Sequence, residues 1–520
     1  MRTFVAFAFV LSAAIAAGAV GGSIGCGSSS SDGAAPDGGA PDATPGDGTA
    51  ADGGEGDGVA AEASTRAPDG ALCGSAACTG IAGACGTLVD ACGQTVACER
   101  CRYTSEPGVA GDWVSLALGA GGAPTLAIGS ANVVQLATRS GGSWQVEQVA
   151  PQGDAGSIDL FGLDLALAPD GTPWVTYVAL GGGSASVWIA RRVGGAWTVE
   201  GLGVGVAAAV AIASDGTPYV AYAGSVTGQA GGTFGTVLAR YAGGGWTRTL
   251  VSASNLVRGV ALAMHGTDPH VAWHDDSAVR YAAPTASGIT VEDVDTFSSQ
   301  GVGVDMSLAV DAAGRPHVAY YPYGTLMHAV RDGAWKHETV SGSGHGNGPV
   351  RIAASPLGGV ALGSVDDVMN TLGVGFLSGG WSLETVVPRC QGSTPRMDMA
   401  FDPAGTLVIA HTCTYPGVTL LTQSGIFPPG FGAACDSIVT TLCNDACACP
   451  QRAGGYCCVS GDCLSPPSYC PAGEKDVFCG SATVDPNAVL ACRDALPQTV
   501  CNPDGGVGAV LPSACEAIRQ

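Results

Sequence analysis

Histidines and carboxylates crowd one part of this chain. Seven of its eight histidines lie between residues 265 and 345. The stretch "DPHVAWHDD" sets His270 and His274 four apart, with Asp275 and Asp276 directly behind. On a β-strand, residues four apart share a face. Imidazoles with carboxylates suit a transition metal, and paired carboxylates suit Ca²⁺. The spacing follows no diagnostic ligand pattern, so no cofactor is expected, and Ca²⁺ is the one ion weighed for it. "CERC" at 98–101 has the spacing of half a zinc site, but no second such pair and no neighbouring histidine accompanies it. There is no GxSxG, and "GSGHGNG" is neither a phosphate-binding fingerprint nor followed by a helix. Arg258, Arg280, Arg315 and Arg351 are the arginines that could serve a hydrolytic site, although none stands in a recognised motif.

The elements that must position these groups are repeated. "GRPHVAYY" at 314–321 has near-copies "GTPWVTYV", "GTPYVAYA" and "TDPHVAWH". Aligning them anchors seven copies at Pro124, Pro173, Pro218, Pro269, Pro316, Gly359 and Leu407. A period of roughly 40–50 residues with short alternating strands marks a β-propeller. Each copy parses into four strands, with tight Asp-Gly turns between the first and second and Gly-Gly turns between the third and fourth. The fourth strand carries a large residue followed three later by Glu: Trp144/Glu147, Trp197/Glu200, Ile289/Glu292, Trp335/Glu338 and Trp381/Glu384. The third copy has Thr249 in the Glu position. The seventh copy lacks a fourth strand, and "RYTSEPGV" at 102–109 supplies one, with Tyr103 and Glu106 in the marked positions. The reading is all-β: a seven-bladed propeller over 102–426, closed by its N-terminal strand. Closure removes a sheet edge that would otherwise invite aggregation. Cys390 and Cys413 fall at the same end of the ring and are expected to bridge.

The first-to-second and third-to-fourth turns are short and uniform, whereas the other connections vary freely. Long, varied loops on one rim are where function is mounted. The ligand-binding candidates are therefore His274, Asp275, Asp276, Tyr321, Tyr323, His345, Asp366, Asp367, Arg258 and Arg389. No catalytic residue is assigned. Val and the aromatic of the second strand fall on one face and the residue after Pro on the other, and packing between blades is the expected use of both.

Flanking segments describe export. Residues 1–25 read as a signal peptide, one positive charge at Arg2 and then an apolar run. "SIGC" ends in Cys26, the expected lipidation site. Residues 26–72 form an acidic Gly/Ser/Asp/Pro tether too poor in apolar side chains to order itself. Residues 73–101 and 433–520 are cysteine-rich modules, small enough to need covalent bridges. Of 21 cysteines, Cys26 leaves twenty, which group as six, two and twelve. Such even counts argue for disulfides. A net charge of −23, with 21 basic residues against 44 acidic, argues against a nucleic-acid partner.

The order of lipobox, acidic tether, "CG…CG…C" segment and propeller resembles surface lipoproteins of myxobacterial type. The "GxPHVAY…GGxW" repeat resembles sialidase-like and lectin-type propellers in layout over roughly 325 residues. That resemblance implies a fold, not an activity. The expected protein is an exported, lipid-anchored, monomeric binding protein at the outer membrane or cell surface. It would recognise a glycan or a surface protein at the variable-loop rim and meet a membrane only through its anchor. The alternatives are a sialidase-like hydrolase or lyase, which needs a carboxylate pair or an arginine cluster at the channel mouth, and a structural envelope protein.

Overall fold

The computed structural model describes residues 85–426, apart from short stretches of loop, together with the strands Val500–Cys501 and Ala509–Val510. The leader, the tether with Cys26, residues 73–84 and nearly all of 433–520 lie outside the described residues, as do Asp276, His345 and Asp367.

Every regular element among the described residues is a strand. Five sheets are four-stranded and antiparallel. They span Trp113–Leu118 to Ser143–Gln148, Gly259–His265 to Gly288–Thr296, Val302–Val310 to Ala334–Ser341, and Val350–Ala354 to Glu384–Val387; the fifth begins at Met397–Phe401. A further sheet has seven strands, because Ala196–Ile212 pairs by its first half with Ser184–Val193 and by its second with Pro218–Ser225. The repeat anchors mark the starts of the second strands to within one residue; in the fourth copy the strand begins at Asp268, before Pro269, and in the sixth at Val360, after Gly359. Gly141/Gly142, Gly194/Gly195 and Gly243/Gly244 all have positive φ at both positions. That is the type I′ geometry a two-residue hairpin needs, and glycine adopts it without steric cost.

The innermost strands touch in succession, from Trp113–Leu118 through Ser157–Leu167, Ala196–Ile212, Gly259–His265, Val302–Val310 and Val350–Ala354 to Met397–Phe401, which returns to the first. The result is a propeller-like ring. The last sheet takes its outer strand from the start of the array: Cys101–Glu106 pairs antiparallel with Thr419–Ile426. Second strands are packed on both faces. Val175, Tyr177, Val220, Tyr222, Val271, Trp273, Val318 and Tyr320 are buried, and so are Trp174, His270 and His317 on the opposite face.

Two sets of polar contacts join neighbouring sheets. On the inside, a side chain of one inner strand accepts an amide hydrogen from the next. Ser115 Oγ takes Leu165 N–H at 3.1 Å, Asp164 takes Val210 N–H at 2.8 Å, Ser307 takes Ile352 N–H at 3.1 Å, and Asp398 takes Leu116 N–H at 2.7 Å. On the outside, most fourth-strand Glu residues reach the next four-strand repeat, while Glu338 meets His328 of its own sheet. Glu106 pairs with Arg139, Glu147 with Arg192, Glu200 with Trp246 Nε1, Glu292 with Arg331 and Trp335 Nε1, and Glu384 with the Cys101 amide. The Trp/Glu mark in the sequence is thus a sheet-to-sheet connector.

Two disulfides are described. Cys390–Cys413 joins the last two sheets as expected, and Cys85–Cys101 ties the first cysteine-rich segment to the closing strand. Within that segment Thr87–Val89 pairs with Thr95–Ala97, and Val89 bridges Gly380 of the sixth repeat copy.

Among the described residues, one junction shows neither of these two connectors. Between the seven-stranded sheet and the sheet starting at Gly259, Ala209 stands in the inner accepting position and Thr249 in the Glu position. What the described residues show there is an apolar cluster around Ala207, Val257, Val271 and Trp273, with one backbone bond from Ser214 N–H to Gly266 O at 2.9 Å. Local opening follows low local stabilisation. Native-state hydrogen exchange should therefore show the amides of Gly259–His265 exchanging faster than those of Val350–Ala354; equal protection would contradict the weak-seam account.

Candidate functional site

Level positions of the inner strands form a column. Ser115, Asp164, Ala209, Ala261, Ser307 and Asp398 each pair with a second-strand residue three beyond its repeat anchor, and Arg351 with the residue four beyond Gly359. Period-two geometry puts Trp113, Asp305 and Arg396, two residues earlier, on the same face. Where the column is polar, the side chains meet across the ring axis. Arg351 Nη1 lies 3.0 Å from Asp305, and its Nε lies 3.5 Å from Asp398 Oδ1. Ser115 Oγ lies 3.1 Å from both Asp164 and Asp398. Their two carboxylates are therefore separated by twice that distance at most.

Burial and neighbouring charge divide the roles of these groups. Burial, and then the charge of Asp398, push the Asp164 carboxyl up to about 6. Burial also raises Asp398, against the pull of Arg351 and of the Leu116 and Met399 amides. Burial opposes the Arg351 charge, but Asp305 and Asp398 outweigh it and hold the guanidinium above its ordinary value. Ser115 has one hydroxyl hydrogen for two carboxylates. A proton on Asp164 resolves the conflict, since Asp164 then donates to Ser115 while Ser115 donates to Asp398.

Above these groups a cavity opens at the starting ends of the inner strands, where the variable between-sheet loops arrive. Trp113, Leu163, Arg258, Val260, Asp305, Met306, Arg351 and Arg396 line it. The Arg396 guanidinium lies 3.8 Å from the centre of the Trp113 ring. Such cation–π stacking fixes a planar cation face-on to the indole. Burial lowers the pKa of Arg396. Asp164 and Asp398 are not part of this lining. A second cavity of about 470 Å³ lies at the opposite end of the inner strands, between the short turns, with Met264, His265, Asp311, Ser355 and Phe401 among its lining residues. The short-turn end is thus not featureless.

Of the residues selected from the sequence, Arg258 and Arg351 line the channel-mouth cavity. Arg280 instead pairs with Asp275 and Asp293, and Arg315 pairs with Asp311. His274 is fully buried, and its carbonyl accepts the Arg258 amide. Asp275 is buried too; one oxygen takes Ser277 and Ala278 while the other faces Arg280. Those partners hold its carboxyl below the ordinary range despite burial. Asp366 caps its own loop through the Val368 and Met369 amides. Tyr321 is fully buried with its hydroxyl against Ser364. Tyr323 is exposed, in a left-handed conformation, with its ring edge-on to Phe297. Arg389 is exposed beside Cys390. Trp113, Asp305 and Arg396 escaped the sequence reading, which examined loops and second strands. The available signal was a polar residue at one level position in otherwise apolar first strands.

No family model matches the chain, and no curated protein matches it. Among solved structures it is similar to virginiamycin B lyase from Staphylococcus aureus, 12% identical over 62% of this chain and 99% of that one, TM-score 0.43. It is also similar to a PL25 ulvan lyase, 12% identical over 62% and 94%, TM-score 0.42. A third is an α-L-arabinanase from Penicillium chrysogenum, 12% identical over 50% and 92%, TM-score 0.37.

The Asp164 shift fixes a sign. A carboxyl raised above its free value binds its proton more tightly in the folded state, so stability falls as pH rises from about 4 to about 6. Asp164→Asn keeps an acceptor for Val210 and a donor for Ser115 without titrating. The difference in urea midpoint between wild type and variant should change across pH 4–7; a constant difference would exclude the shift.

Proposed function

We propose that this chain is an exported, lipid-anchored binding protein whose seven-bladed propeller takes an acidic glycan at the variable-loop end of its channel. The blade count treats the seven-stranded sheet as two blades sharing Ala196–Ile212. The observation that carries the reading is the convergence of Arg258, Arg351 and Arg396, with Trp113, on one cavity. Guanidinium groups bind carboxylates and sulfates through paired N–H donors, and an indole edge offers a sugar apolar surface. The mouth contains a single carboxylate, Asp305, already held by Arg351.

An arginine cluster at the mouth would serve a sialidase-like hydrolase or lyase as well, so the carboxylates are what favours binding over hydrolysis. The two close carboxylates, Asp164 and Asp398, lie outside the cavity lining and spend their oxygens on the Val210 and Leu116 amides and on Ser115. A glycosidase pair must reach both sides of a scissile bond. A purely structural envelope role would not call for a charged cavity at the mouth.

Purified residues 73–520 on a glycan array should retain carboxylated or sulfated saccharides and pass over neutral ones. Arg258→Ala should weaken retention at least tenfold. Preference for neutral sugars, or cleavage of the bound saccharide, would overturn the reading. Mass spectrometry of the native protein should find a diacylglyceryl group on Cys26; an unmodified mature N-terminus there would remove the anchor.

A further inference from the structure

A line of titratable side chains crosses the sheet Val302–Ser341 away from the channel mouth. Asp311 Oδ2 lies 3.4 Å from His317 Nε2; His317 Nδ1 lies 2.9 Å from His328 Nε2; His328 Nδ1 lies 3.3 Å from Glu338 Oε2. Both imidazoles are buried, at 1% and 0% exposure, so bulk water cannot substitute for a missing partner. The rings stack 5.2 Å apart, and the Trp381 indole of the next sheet stands edge-on to His328 at 5.0 Å.

Hydrogen counting decides the protonation of this line. Each of its three contacts joins two atoms that both carry lone pairs, and each needs one hydrogen. Two ionised carboxylates and two neutral imidazoles supply only two. The third hydrogen requires one more proton. Charge balance agrees. Arg315 Nη2 lies 2.7 Å from Asp311 Oδ2, and its Nε donates to the same oxygen at 2.7 Å. Arg315 and one added proton together offset Asp311 and Glu338. These are the charged groups facing the pair from its turn, from the second strand and from the fourth strand; the sixth-copy neighbour, Trp381, is uncharged.

We propose that His317 and His328 form a buried proton-binding site, holding one proton beyond the neutral pair and joining this sheet to Trp381 of the next. His317 is the ring that stays neutral. Burial and the charge of His328 hold His317 down at about 4, and the hydrogen bond from His328 keeps Glu338 below its ordinary range. A proton bound more tightly in the folded than in the unfolded state stabilises at low pH, and that stabilisation is lost as pH rises.

The test compares the wild-type chain with His328→Gln, following the urea midpoint from pH 5.5 to 9. The wild type should be the more stable at pH 5.5, and its advantage should shrink at least severalfold by pH 9. An advantage that stays constant would overturn the proposal. If the variant does not fold, imidazole ¹⁵N spectra of the wild type decide, with His317→Gln aiding assignment. One ring of the pair should be cationic and the other neutral at pH 6; two neutral rings at pH 6 would overturn the proposal as surely. Glycan retention is a separate readout and bears on neither result.

Discussion

The hydrogen bond from Leu116 N–H to Asp398, at 2.7 Å, joins the last inner strand to the first. An inner strand has a sheet partner on one side only, so its other edge presents amide hydrogens that must find acceptors or water. Ser115, Asp164, Ser307 and Asp398 solve that problem with a side chain placed at one level position. The same groups that hold the ring together therefore bring carboxylates to its axis. The rest of the axial chemistry follows from that placement: Arg351 is needed to neutralise Asp398, and Asp305 in turn steadies Arg351.

The consequence is a channel in two layers. The lower layer holds Asp164, Asp398 and Ser115, which bond to one another and to the Leu116, Leu165 and Val210 amides. The upper layer, at the mouth, brings together Trp113, Arg258 and Arg396 above that floor. A buried charge left without its partner costs several kcal/mol, on the order of 3–5. The lower layer is thus poorly suited to chemistry that would transfer its protons or displace its partners. The local concentration of arginine at the mouth contrasts with the overall negative charge of the chain.

Much of this architecture was legible in the sequence because propeller geometry repeats its solutions. The Gly-Gly turns need positive φ, the second strands need apolar residues on both faces, and the Trp/Glu mark recurs because each sheet must connect to the next. Even the exception was visible: Thr249 in place of Glu foreshadowed the one junction without a connector. The mouth was less legible for a physical reason. Its residues come from different first strands or the positions just before them, far apart in the sequence, and only the ring's curvature brings them together. Tyr321 and His274 show the converse. Both follow the repeating phrase and looked like loop residues, yet both are still within their strands and are turned into packing.

The closing strand sets an order of events. Cys101–Glu106 is the earliest-made strand of the ring, and its partner Thr419–Ile426 is the latest. Pairing across such a separation is slow compared with the local hairpins that build each sheet. During synthesis the N-terminal strand must therefore wait, unpaired by Thr419–Ile426, while sheet after sheet forms behind it. Its sequence, "CRYTSE", suits that wait: polar side chains alternate with the buried Cys101 and Tyr103, so the strand offers little apolar surface for mispairing. Cys85, bonded to Cys101, gives the waiting strand an early local partner.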